Sequence, residues 1–213
     1  MKHPINFQCK SVLQRLAIMC TTVFFVSASY AQELVKVVVI PMAGDDLRTV
    51  YEIGKTGPAG GIVFHVTDGG LHGLEAAPND HSTTVEWGCD GIDIGDIVNL
   101  PNKETIDPNT SAHNTQAIVD DANDCGTGGA ADVASSYKGP NGITTGWYLP
   151  NKEELDLLYD AKVAGTVGGF VSATYWSSSE FGSFDAWVQA FGSGGQGGAS
   201  KDFARRVRAV RAF

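Results

Sequence analysis

Three β-type runs close this chain: "ATYWSSSEF" (173–181), "AWVQAF" (186–191) and "FARRVRAVRAF" (203–213). They constrain the fold more than any other feature. The first two are joined around Gly182 and Ser183, a connection short enough for a hairpin. The last two are joined by the glycine-rich "GSGGQGGASKD". Alternation sends Trp176, Ser178 and Glu180 to one face of the first run and Tyr175, Ser177, Ser179 and Phe181 to the other. Trp187, Gln189 and Phe191 share a face of the second.

Upstream, "GIVFHVT" (61–67) and "GLEAAP" (73–78) flank the turn "DGG" and predict another hairpin. Between the two β regions lie two predicted helices. "NTQAIVDDAND" (114–124) is the weaker, with Gly126 as its stop signal. "NKEELDLLYDAK" (151–162) is the clearer. Asn151 caps it, Glu153 and Glu154 lie in its first turn, and Leu155, Leu158 and Tyr159 form its apolar stripe. Strands, then helices, then strands predict an α+β fold with an antiparallel sheet, two helices and long loops. Residues 79–112 and "GTGGAA" (126–131) are expected as loops.

Residues 1–31 carry the pattern of an export signal. Lys2, Lys10 and Arg15 precede the apolar "LAIMCTTVFFV" (16–26), and "SYA" (29–31) predicts cleavage before Gln32. Cys20 follows Met19, where a lipoprotein site needs a small residue. The segment 32–50 is expected as a linker or added edge strand, broken by Pro41. Losing the signal removes three basic and no acidic residues, taking the net charge from −9 to −12. Such a chain repels nucleic acid and anionic membranes at long range. It keeps two cysteines, Cys89 and Cys125, which in an exported chain predict one disulfide, contributing roughly 3–4 kcal/mol in the chain-entropy model. The expected location is the periplasm, the cell surface or the exterior.

The pieces "IGKTGPAGGIVFHVTDGGLHGLEAAP", "GWYLPNKEELDLLY", "YWSSSE", "AWVQAFGSG" and "RVRAVRAF" occur in this order. As a set they resemble the bacterial family typified by the C-terminal domain of collagen-like surface adhesins (the Lcl C-terminal type), over about residues 51–213. The resemblance implies a variant of the C-type-lectin fold and an exported surface domain. It also implies binding of glycosaminoglycan-type polysaccharide and trimer formation. The collagen stalk is reduced here to two Gly-X-Y triplets near Gly57. The superfamily also houses formylglycine-generating enzymes, which use reactive C-terminal cysteines, and no cysteine follows Cys125.

Several side chains are candidates for chemistry. Ser177, Ser178 and Ser179 lack a nucleophile elbow and have no histidine nearby in sequence, so packing and hydrogen bonding are their expected roles. Glu180 is expected to pair with Arg206 or Arg208, a structural ion pair, or to meet a ligand. Lys201 and Arg205 belong to the basic cluster of the closing strand, which is either salt-bridged or offered to sulfated or carboxylated glycans. Trp187 and Gln189 are core residues or a sugar platform, and Trp87 lies in the long loop beside Cys89. Asp90, Asp93 and Asp96 are the candidate calcium ligands, although Ile92 and Ile94 break the EF-hand pattern. No cofactor or resident metal is expected.

The expected function is an exported, non-catalytic binding domain for polysaccharide or surface glycan. The alternative is an envelope assembly module, a homo-oligomer included, with "LVKVVVIP" (34–41) donated as a strand to a neighbour.

Overall fold

The structure, a computed structural model, describes residues 38–41, 47–120 and 125–213. The signal-like segment lies outside these residues. In chain order the strands and helices are β1 (Val38–Pro41), β2 (Leu47–Val50), β3 (Ile62–Thr67), β4 (His72–Ala76), β5 (Ser82–Val85), α1 (Pro108–Val119), α2 (Ala130–Ser135), β6 (Trp147–Tyr148), α3 (Lys152–Val163), β7 (Thr174–Glu180), β8 (Asp185–Ala190), β9 (Gln196–Ser200), β10 (Arg205–Val207) and β11 (Val210–Ala212). The fold is α+β, with a disulfide between Cys89 and Cys125.

Among the described residues two larger sheets and a two-stranded pair stand where one sheet was expected. The first has the order β3-β4-β11-β6 and is antiparallel throughout. The second has the order β5-β10-β7-β8-β9 and is mixed, because β10 runs parallel to β7. The closing run is therefore not one strand. It leaves the five-stranded sheet after Val207 and enters the four-stranded sheet at Val210. β1 and β2 pair with each other as a separate hairpin, so the described part of the 34–41 run has its strand partner within the chain.

β7 is the central wall. Its neighbours on both sides are strands, and Tyr175 to Glu180 are all buried. Trp176 enters a core cluster with Trp87, Ile94, Trp147, Leu149 and Val207. Tyr175 enters a second cluster with Phe64, Leu74, Leu155, Leu158 and Phe191. Burial of Leu155 and Leu158 on the α3 stripe contributes roughly 1.5–3 kcal/mol each.

Among the described residues there are three α-helices, not two. α1 begins six residues before the predicted start, because Asp107 accepts from the Asn109 N–H at 3.0 Å and Pro108 occupies the first turn, where its missing N–H is harmless. α2 begins at the end of the stretch expected as a loop and runs beyond it. The Asp132 carboxylate reaches back to the N–H groups of Gly128 and Gly129 at 3.0 and 3.1 Å. α3 forms as predicted, with a reciprocal cap. The Asn151 side chain accepts from Glu154 N–H at 2.8 Å, and Glu154 Oε2 accepts from Asn151 N–H at 3.2 Å. β9 was also unforeseen: it lies within the glycine-rich connection, as the edge strand beside β8.

Glu154 is fully buried, and burial pushes its carboxyl up to about 8, against the hydrogen bonds from Ser111, Asn151 and Tyr148 that favour the carboxylate. The folded chain thus holds a proton that the unfolded chain releases near pH 4.5. Stability tied to this group is complete below that pH and falls as pH rises toward 8, by at most about 1.4 kcal/mol per pH unit. Glu75, raised by burial, adds a slope of the same sign. His65 and His81, lowered by burial, add the opposite slope below about pH 6.5. The stability difference between wild type and Glu154→Gln isolates the group. In denaturant titrations this difference is expected to shift in favour of the variant between pH 5 and 8. A flat difference would mean that Glu154 is ionised in the fold.

Candidate functional site

The basic cluster of the closing region is internal. Lys201 is fully buried. Its ammonium donates to Glu180 Oε1 at 2.5 Å, to the Ile92 carbonyl at 2.7 Å and to the Cys89 carbonyl at 3.4 Å. It also lies 4.7 Å from the centre of the Trp87 ring. The second Glu180 oxygen accepts from Ile94 N–H at 3.0 Å. Glu180 therefore pairs with Lys201, not with Arg206 or Arg208. Register gives the reason: Arg206 lies opposite Tyr175, five residues from Glu180 along β7, or about 17 Å at the rise of a strand.

Arg206 and Arg208 converge instead on Asp80. Arg206 reaches Oδ2 at 2.9 Å, and Arg208 holds Oδ1 through Nε at 2.9 Å and Nη2 at 2.5 Å. Tyr175 donates its hydroxyl to the same carboxylate. Arg211 meets Glu75 at 3.2 Å, and Glu75 also accepts the N–H groups of Ala59 and Gly61. The two collagen-like triplets form the cradle of that acid: a Cβ at Gly57 would lie 2.4 Å from Glu75 Oε2. Arg205 is half-buried, packed against Trp176 and Phe203, and takes part in no salt bridge among the described residues.

Two more expected ligand residues are buried. Trp87 donates its indole N–H to the Ser177 carbonyl at 2.7 Å, and Gln189 donates to the Gly194 carbonyl at 2.8 Å. The serine run braces backbone. Ser177 Oγ donates to the Trp187 carbonyl, and Ser179 Oγ accepts from Lys152 N–H. Ser178 donates its own N–H to the Pro150 carbonyl.

The loop of Asp90, Asp93 and Asp96 wraps the Lys201 ammonium with its carbonyl oxygens, while Ile94 plugs the core. Among the described residues no three His, Cys, Asp or Glu side chains gather as a metal-ligand set.

What remains on the surface is an aromatic shelf on β7, β8 and β9. Trp187 is half-buried and lies directly opposite Gly198. Phe181 is 56% exposed and meets the Trp187 ring edge-on at 4.9 Å. A Cβ at position 198 would sit 3.0, 3.1 and 3.3 Å from Phe181 Cγ, Cδ1 and Cδ2, so the ring lies flat across the glycine. The residue as a whole stays more than half exposed. Lys152 borders the shelf, with its ammonium 5.3 Å from the Trp187 centre and in contact with Glu153. Gln196 closes it, donating to the Lys152 carbonyl at 2.5 Å. Glu153 Oε2 is buried without a protein partner.

Phe181 and Gln196 were not singled out from the sequence. The available signal was Gly197-Gly198 within hairpin distance of a tryptophan, since glycine inside a strand marks close approach of another group. Compared with protein-family models and with curated proteins, the chain matches none.

Lys201→Met leaves Glu180 buried without its cation and is expected to destabilise the fold by about 3–5 kcal/mol in denaturant titrations. Adding Glu180→Gln is expected to recover part of that loss. A double variant as unstable as the sum of the two single variants would show that the two side chains act independently.

Proposed function

We propose that the chain is an exported, non-catalytic binding domain that recognises polysaccharide or surface glycan on the Phe181–Trp187 shelf. The observation that carries this reading is the Phe181 ring, held against Gly198 yet more than half exposed. A rigid aromatic face of this kind stacks on the apolar face of a sugar ring, and the Lys152 and Gln196 side chains at its rim offer hydrogen-bonding groups to hydroxyls. The disulfide fits an oxidising compartment, and no described helix is long and apolar enough to cross a membrane. The resemblance to adhesin C-terminal domains supports the same ligand class. The basic strand does not contribute, because its lysine and three of its arginines are engaged with internal acids.

The test is a glycan array probed with the exported protein at low and physiological ionic strength. Stacking makes binding weakly dependent on salt, unlike capture of an anion by a basic patch. Phe181→Ala is expected to weaken binding by about tenfold, or about 1.4 kcal/mol. Gly198→Val, which displaces the ring without removing it, is expected to act in the same direction. A wild-type protein silent across the array overturns the proposal, as does binding that both variants leave unchanged.

A further inference from the structure

We infer that a second ligand site lies in the groove between α1 and β6, and that it takes an uncharged saccharide unit. The inference rests on the reading of the chain as a glycan-binding domain and gives that reading a ligand class. The groove encloses about 360 Å³, within the lower range of small-molecule sites. One wall is a single face of α1, where Asn109, Ala112 and Gln116 follow one another at helical spacing, all exposed. The opposite wall is β6, the edge strand of the four-stranded sheet, whose Trp147 and Tyr148 border the groove while their rings are buried in the two core clusters. Ala112 and Gly146 contribute almost no bulk, which keeps the groove open.

The chemistry of the lining selects the ligand. Of the chain 18% is charged, yet none of the residues lining the groove is Asp, Glu, Lys, Arg or His. The Arg211 side chain lies behind Gly146 and is engaged by the Thr145 carbonyl and Glu75. An ion entering the groove would give up water without gaining a counter-charge, which is unfavourable. Neutral hydroxyl or acetamido groups meet suitable partners. The Gln116 side-chain amide has no protein partner among the described residues. Asn109 uses Nδ2 on Asp107 at 2.9 Å, which leaves its carbonyl oxygen to accept. Ser135 donates to the Asp132 carbonyl and can still accept. Thr115 is different: its hydroxyl bonds the Ser111 carbonyl and Leu149 N–H and helps join the two walls. Amides and a hydroxyl around a groove with no charge in its lining fit the hydroxyls of a sugar ring without carboxylate or sulfate.

Calorimetric titration of the exported protein separates the alternatives. The probes are uncharged disaccharides (cellobiose, maltose, di-N-acetylchitobiose) and anionic ones (digalacturonate, a heparin-derived disaccharide). Ala112→Arg fills the groove from an exposed helix position where arginine is nearly as good a helix former as alanine, so thermal stability should hold. The expected result is binding of an uncharged disaccharide that Ala112→Arg weakens by at least about tenfold, Gln116→Ala weakens less, and Phe181→Ala leaves in place. Uncharged ligands lost in Phe181→Ala but kept in Ala112→Arg would overturn the groove site while the shelf stands. Anionic disaccharides bound as well or better, and lost in Ala112→Arg, would overturn the ligand class. Failure of every saccharide to bind would overturn both the groove and the glycan-binding reading.

Discussion

The buried ammonium of Lys201 is the contact on which the far end of the five-stranded sheet depends. Its acceptors are a carboxylate from β7 and two carbonyls from the loop that begins at Cys89. Such a pair is not a large source of net stability, because the charges lost their water to form it, but removing one partner alone is severe. Its consequence here is position. With Lys201 and Glu180 in place, Ile94 is drawn under the loop into the core, and the disulfide fastens the start of that loop to Cys125. The same carboxylate fixes the end of β7, so the next residue, Phe181, emerges over β9 instead of continuing the strand. The internal ion pair and the exposed shelf are thus adjacent parts of one arrangement.

Local signals in the sequence were sufficient where the structure is local. The β3–β4 hairpin and the capped α3 follow from turn chemistry, alternation and capping, all set within a few residues. The elements that escaped are those decided by distant contacts. β9 is rich in glycine and has poor strand propensity. It is a strand because β8 offers a ladder beside it. α2 is short, and its start is fixed by Asp132 reaching back to two glycine N–H groups. The change of sheet between Val207 and Val210 leaves no mark in an alternating run. The partner of Glu180 was hidden for the same reason: charge complementarity identifies the kind of residue that answers a buried acid, but only register decides which one arrives.

Arginines of the closing run act as internal fasteners. Where the chain passes from one sheet to the other, the carbonyls of Ala77, Gly168 and Gly169 lie near no strand partner, and Arg208 donates to all three while holding Asp80. Its guanidinium also sits 3.9 Å from the centre of the Phe170 ring. A planar five-donor group suits this junction, where lysine could not satisfy as many acceptors in one plane. The consequence reaches the surface. Positive charge counted in the sequence is turned inward together with the acids that answer it, so little of it is left to form a basic face. A polyanionic ligand has little there to meet, which favours recognition by aromatic faces and neutral polar groups.

The shelf illustrates the same trade on a smaller scale. Gly197 and Gly198 weaken β9, since glycine in a strand is destabilising by roughly 0.5–1 kcal/mol relative to alanine. An edge strand already lacks one neighbour, so that loss falls where the sheet is least supported. It is offset by what the missing side chain permits: the Phe181 ring lies against backbone, braced at its edge by Trp187. A side chain at position 198 would strengthen the strand and lift the ring. Local propensity and ring placement therefore oppose each other at this one position, and the sequence sides with the ring. Departures from local preference of this kind concentrate where a surface serves something beyond its own folding.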